Sequence, residues 1–267
     1  MQASAAQQAL RQGAPAEALK LLQDQVRAAP QDAKLRVFLF QLLCVLGQWD
    51  RALNQLTVAG ELDASTLSMV QTYRETIQCE RLRADVFAGK RVPMLFGEPQ
   101  PWLALMIEAL LREGRGEPAD ARRLRTQALD EAPATSGSAD GKAFEWIADA
   151  DSRLGPVLES IVNGRYYWVP VSRLTRVEIE APTDLRDCVW MPAHFQFSNG
   201  GEVVGFIPTR YAGSEAGEPA QALARRTDWL EAGPGQYTGL GQRMLSTDTD
   251  DLPLMDVRVL ELDGTDV

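Results

Sequence analysis

The feature that most constrains this chain is a repeat in its first half. Gly13, Ala18, Leu19 and Leu22 return 34 residues later as Gly47, Ala52, Leu53 and Leu56. A period of 34 is that of tetratricopeptide (TPR) helix pairs. A further copy follows at an offset of 103 residues, close to three periods, where Gly13, Pro15, Ala18 and Pro30 correspond to Gly116, Pro118, Ala121 and Pro133. The residue types fit the periodicity physically. Glycine ends one helix, proline or an acidic residue opens the next, and alanine lets paired helices approach closely.

The repeat predicts three hairpins and a long middle helix. Residues 4–11 pair with 15–28, and 34–46 with 49–59. Residues 65–88 read as one long helix N-capped by Ser65, ended at Gly89, and followed by a Pro- and Gly-rich break over 89–101. Residues 102–112 and 118–131 form the last pair. Cys44 and Cys79 fall inside helices as core residues. Stacked hairpins leave a concave face that commonly holds peptides or helices of other proteins. Arg112, Arg115, Arg122, Arg123 and Arg125 make the last hairpin basic, either as a solvated face or as a dock for something acidic.

The second half follows a different period. Residues 134–141 are small and polar, as in a linker, and a short helix is expected over 143–149. Residues 157–162 and 165–169 flank Asn163-Gly164, the pair favoured in two-residue hairpin turns. Thr175, Val177 and Ile179 alternate with Arg176, Glu178 and Glu180, the pattern of a strand with one wet face. A second hairpin joins 194–198 to 202–207, and a last strand is expected over 254–262. Residues 212–219 and 231–251 read as loops around a short helix at 220–231. The predicted architecture is α+β. A TPR-like helical domain (1–133) leads through a linker (134–141) to a small antiparallel β-rich domain, a twisted sheet or partly closed barrel (142–267).

Composition narrows the function. Residues 1–133 balance 16 acidic against 16 basic side chains, whereas 134–267 hold 21 against 11, so the net charge of -10 belongs to the second half. Such a surface repels a phosphate backbone, which argues against nucleic-acid binding. No stretch approaches the roughly 18 consecutive apolar residues of a membrane span, and the N-terminus has no signal-peptide pattern, so a soluble, cytoplasmic protein is expected. Three scattered cysteines and the single His194 supply neither a disulfide framework nor a zinc site. Cys188 with His194 as a thiol protease, Asp184 with Asp187 as an acid–base pair, and Gly239 with Gly241 as a phosphate loop each lack the surrounding motif. No catalytic residue, metal or cofactor is expected.

The runs DLRDCVWMPAHF (184–195), GRYYWVP (164–170) and FIPTRYAGSE (206–215), with the repeat opening EALKLLQDQVRAAPQDAKLRVFLFQLLCVLGQWDRAL, resemble the ImpE family, also called SciE or TagJ. The resemblance covers nearly the whole chain. Cys188 stands where the family commonly has an aliphatic residue. The resemblance implies a non-enzymatic accessory protein of type VI secretion systems that engages the small sheath subunit TssB and is thereby linked to sheath recycling by the ClpV ATPase. A generic TPR chaperone or scaffold is the alternative. Arg186, Trp190, Arg210 and Tyr211 are the expected contact residues, because Arg and aromatic side chains anchor interfaces efficiently. An internal ion pair of Asp187 with Arg186 or Arg210 is the competing structural role.

Overall fold

The computed structural model describes residues 4–264. The helices predicted from the repeat are α1 (Ala5–Arg11), α2 (Pro15–Ala28), α3 (Ala33–Val45), α4 (Trp49–Leu62), α5 (Leu67–Phe87), α6 (Pro101–Gly114) and α7 (Pro118–Glu131). The pairs α1–α2, α3–α4 and α6–α7 pack as hairpins. Gly13, Gly47 and Gly116 all sit at φ between +65° and +78°, the left-handed corner that ends the first helix of each hairpin. Ala18, Ala52 and Ala121 are each 0% exposed, which is why the repeat keeps them small. Ser65 is not the N-cap of α5. It lies in a 3-10 turn, Ala64–Thr66, where the Asp63 carboxylate accepts its backbone N–H.

The rest of the chain is mostly strand. It comprises β1 (Met94–Leu95), β2 (Gly137–Ala139), β3 (Lys142–Phe144), β4 (Ile147–Asp149), β5 (Val157–Val162), β6 (Arg165–Pro170), β7 (Leu174–Ile179), β8 (Trp190–Phe197), β9 (Glu202–Pro208), a short α8 (Pro219–Ala222), β10 (Thr227–Gly233), β11 (Gln236–Gly241), β12 (Met244–Thr247), β13 (Asp251–Pro253) and β14 (Val259–Leu262). Nine strands form one sheet in the order β1-β6-β5-β9-β8-β7-β14-β2-β3, with β13-β12-β4 and β10-β11 as smaller sheets. The large sheet is open, ending at β1 and β3, not a barrel. It is also mixed, since β1, from the break after α5, runs parallel to β6. Asn163 and Gly164, at φ +49° and +70°, make the expected two-residue turn between β5 and β6.

The second half departs from its sequence pattern in several places. Residues 134–141 are not a free linker, because Gly137–Ala139 pairs as β2 against β14. The segment is small because the chains approach closely: a Cβ on Gly137 would lie 2.0 Å from the Glu261 carbonyl oxygen. The expected helix over 143–149 is β3 and β4. The expected loops and helix over 220–251 contain β10, β11 and β12, with Gly239 and Gly241 inside β11. The last strand is only β14, because residues 254–256 form a turn.

Helices and strands share a core. One apolar cluster joins Leu22, Leu43, Leu56 and Ile77 of the helices to Tyr166, Trp168, Trp190 and Tyr211 of the β half. A second lies on the other side of the sheet, where Val177, Met191 and Phe195 meet Leu245 and Leu254. At the helix–sheet junction Glu159 of β5, 0% exposed, accepts from Arg83 of α5 through Nε at 2.7 Å and Nη2 at 3.1 Å. It also accepts from the Tyr166 hydroxyl at 2.5 Å and from Arg243, which pairs in turn with Asp149 at 2.8 Å. Burial alone would raise the Glu159 carboxyl, but the Arg83 and Arg243 guanidiniums outweigh it and hold it at about 2.

Removing one member of a buried ion pair strands the other, so Glu159→Gln should lose about 3–5 kcal/mol in urea denaturation at neutral pH. The pH dependence has a definite sign. A depressed folded-state value stabilises fully above the unfolded carboxyl value of about 4.3. That stability is lost as pH falls toward the folded value of about 2. The acid limb of the stability curve should therefore flatten in Glu159→Gln.

Candidate functional site

In a strand, alternate residues share a face, and the register aligns Val204 of β9, His194 of β8, Glu178 of β7 and Val259 of β14 in one row across the sheet. Phe206 and Pro192 form the neighbouring pair on the same face. Phe195, Val177 and Leu260, on the opposite face, belong to the second core. The face carrying Val204 is covered only in part. Helix α5 buries Tyr73, Ile77 and Glu80 against the shared core and turns Gln71, Thr72, Glu75 and Thr76 toward the open part of the sheet.

The result is a groove of about 810 Å3, walled by that stripe of α5 and the β5–β6 turn and floored by β9, β8, β7 and the start of β14. Gly164 keeps the turn tight against the helix, since a Cβ there would lie 2.4 Å from Glu75 Oε2. Val204 is 72% exposed, unusual for a branched apolar side chain in a strand. Glu75, Glu178 and Glu180 line the groove together with His194 and Arg258. His194 Nε2 lies 3.4 Å from Glu202, and the Arg258 guanidinium donates to the carbonyls of Val257 and Met255.

The expected contact residues lie largely beneath this surface. Trp190 is 0% exposed, donates from Nε1 to Glu80 at 2.9 Å, and packs against Trp49 and Tyr73. Tyr73 packs in turn on Phe206 in the groove, its ring centroid 5.3 Å away. Arg186 keeps some exposed surface, pairs with Asp184 at 2.6 Å and lies over the Tyr73 ring at 4.7 Å. Arg210, buried, donates to the carbonyls of Val45 and Cys44 at the C-terminal end of α3 and to that of Ala222. Tyr211, also buried, donates to Asp149 at 3.0 Å and accepts from the Met244 N–H. Trp190 and Arg186 thus meet around Tyr73, whereas Arg210 and Tyr211 serve other junctions. Asp187 forms no ion pair with either arginine; its carboxylate accepts the backbone N–H groups of Thr183 and Asp184, both at 2.7 Å.

The chain itself covers part of the helical array at α1 and α3. The turn Leu185–Cys188 packs on α3, residues 183–185 line a small cleft together with Leu10, Phe38 and Gln41, and Arg225 donates to the Arg11 carbonyl. In the basic last hairpin, Arg112, Arg115 and Arg123 pair with acids of their own hairpin, while Arg125 binds Glu113 and reaches Gln236 of β11 at 3.1 Å. Cys44 and Cys79 are buried, and burial raises both thiols, that of Cys79 up to about 12.

A tetratricopeptide repeat model matches residues 9–72, and the model described as ImpE protein matches residues 141–261. The type VI secretion system accessory component TagJ of Pseudomonas aeruginosa is 51% identical over 262 residues, spanning 98% of this chain and 92% of that relative. The chain belongs to the ImpE family. A crystal structure of a Vibrio parahaemolyticus protein superposes with a TM-score of 0.90 at 28% identity, covering 98% of both chains.

In this ImpE-family chain the groove residues Glu75, Glu180 and Val204 escaped sequence reasoning, which favoured arginine and aromatic side chains. The available signal was apolar Val204 and Phe206 falling on the same strand face as Glu202. The two roles around Tyr73 are separable: Trp190→Ala should lose about 3–5 kcal/mol of stability, and Arg186→Ala less than about 1 kcal/mol. Thermal and urea unfolding of the two variants provide the measurement.

Proposed function

We propose that this protein is a non-enzymatic accessory adaptor of a type VI secretion system, acting in the cytoplasm, which binds the small sheath subunit TssB and links it to sheath recycling by the ClpV ATPase. The observation that carries the reading is the full-length match at 51% identity to a TagJ accessory component. TssB and ClpV enter through the family resemblance. A surface groove with an apolar floor suits an adaptor, because it offers area to a partner segment. Arg186, at the rim of the Tyr73 cluster, is a proposed contact. Trp190, Arg210 and Tyr211 are proposed to hold the contact surface in shape.

The thiol chemistry weighed against this reading has little support. Burial raises the Cys188 thiol, the opposite of what activates a nucleophile, and the imidazole of His194 faces Glu202. Among the described residues no helix is long and apolar enough to cross a membrane.

Calorimetry of the protein with TssB from the same organism tests the adaptor reading. Saturable one-to-one binding without added cofactor, unchanged by Cys188→Ala, is expected. Absence of binding between two folded proteins would contradict it, and equal affinity for unrelated amphipathic helices would favour a general chaperone or scaffold.

A further inference from the structure

Among the described residues one long strand edge is left open. Of the strands that end a sheet, β1 has two residues and β3, β4 and β13 three each, too short to pair far with another chain. The six-residue β11 is closed on its far side. There Tyr237 exchanges hydrogen bonds with Ser152, Gly239 donates to Asp151, and Gly241 donates to the Ser214 hydroxyl and accepts from the Tyr211 N–H. That leaves β10, seven residues long.

The register determines what this edge offers. Tyr237, Gly239 and Gly241 turn their backbone groups away from β10, so their opposites Glu231, Trp229 and Thr227 turn theirs away from β11, as alternate residues of an antiparallel pair do. Among the described residues the N–H and C=O groups of Thr227, Trp229 and Glu231 have no partner. Apolar side chains are exposed beside them, Trp229 to 40% and Leu230 to 56%. Trp229 rests on Tyr211, its ring centroid 5.6 Å away, over the space that Gly239 leaves open. At the hairpin tip Gln236 binds Arg125, the Arg122 carbonyl and Thr126, so the edge is presented on a fixed support.

The charges select the strand that fits. Arg225 and Arg226 precede β10, and Glu231 stands near its end. A second copy of the same edge, run antiparallel, sets basic end against acidic end; run parallel, it would set like charges together. Arg226 is already held by Glu218 and Asp228, whereas the Glu231 carboxylate has no partner among the described residues. From this geometry we propose that two copies of this chain pair through β10, making a four-stranded sheet β11-β10-β10-β11 about a two-fold axis at Trp229. Trp229 then faces the partner's Trp229, and Thr227 faces the partner's Glu231, with about six backbone hydrogen bonds at two per pair. Arg225 lies diagonally across from the partner's Glu231, within reach of a long side chain. Because the far side of β11 is already bonded, the sheet stops there and the product is a closed dimer, not a fibre. None of these residues lines the groove against α5, so the inference is independent of the adaptor reading.

Sedimentation equilibrium of the intact protein from about 1 μM to about 500 μM provides the test; the edge is small, so a Kd in the upper part of that range is expected. Glu231→Pro removes an outward N–H that the hairpin does not use. It should dimerise about tenfold or more weakly, with unchanged circular dichroism and melting temperature. Glu231→Arg should also weaken the dimer, by facing the partner's Arg225. The double variant Arg225→Glu/Glu231→Arg should restore it, a rescue that mere disturbance of the hairpin would not give. Val92→Ser, at an exposed apolar position beside β1, should dimerise as the intact protein does. A monomer at every concentration, or a dimer no weaker in Glu231→Pro and Glu231→Arg than in the intact protein, would overturn the proposal.

Discussion

A carboxylate buried to 0% exposure at the junction of helices and sheet is the constraint on which the rest of the structure turns. Moving a carboxylate out of water carries a penalty of several kcal/mol, offset only by close and well-directed partners. Glu159 has them from two directions, Arg83 on α5 and Arg243 just after β11, with the Tyr166 hydroxyl as a third donor. Arg83 also donates to the Arg210 carbonyl at 2.8 Å, and Arg210 in turn caps the end of α3. The helical array and the β half are therefore not two bodies on a tether. The angle of α5 over the sheet is set by charges that cannot be separated without exposing an unpaired ion to an apolar interior.

That fixed angle shapes both the closed and the open surfaces. Beneath α5, Tyr73, Trp190 and Phe206 pack into a continuous aromatic column. Beyond it the sheet face is left uncovered and the groove begins. Helical repeat arrays commonly present their inner face to a partner, but here the turn Leu185–Cys188 packs on α3 and Arg225 donates to the end of α1. The groove is a surface that neither half makes alone, since one wall is α5 and the floor is strands.

The helical half was legible because its rules are local. A glycine forced to positive φ at Gly13, Gly47 and Gly116 and a buried alanine at Ala18, Ala52 and Ala121 mark each hairpin within a few residues of the turn they cause. The Asn163-Gly164 turn was legible for the same reason. What failed was set by distant pairing. Residues 137–139 are small because Glu261 passes close by, and nothing in TSGSADG distinguishes that close approach from flexibility. The strands over 227–247 carry Gly239 and Gly241, and Gly239 is required because a Cβ would strike the Tyr211 ring at 2.2 Å. Trp190 and Tyr211 were read as contact residues because an aromatic side chain suits a partner interface as well as an interior junction. The register that aligns Val204 with His194 and Glu178 exists only once β7, β8 and β9 are paired.

Side-chain oxidation footprinting of the protein alone and bound to TssB measures most directly whether the uncovered sheet face is the working surface. Protection is expected at Val204, Phe206, Pro192 and His194, with Leu19 of α2 and Leu53 of α4 unchanged. Protection confined to α2 and α4, with Val204 as reactive in the complex as in the free protein, would contradict it.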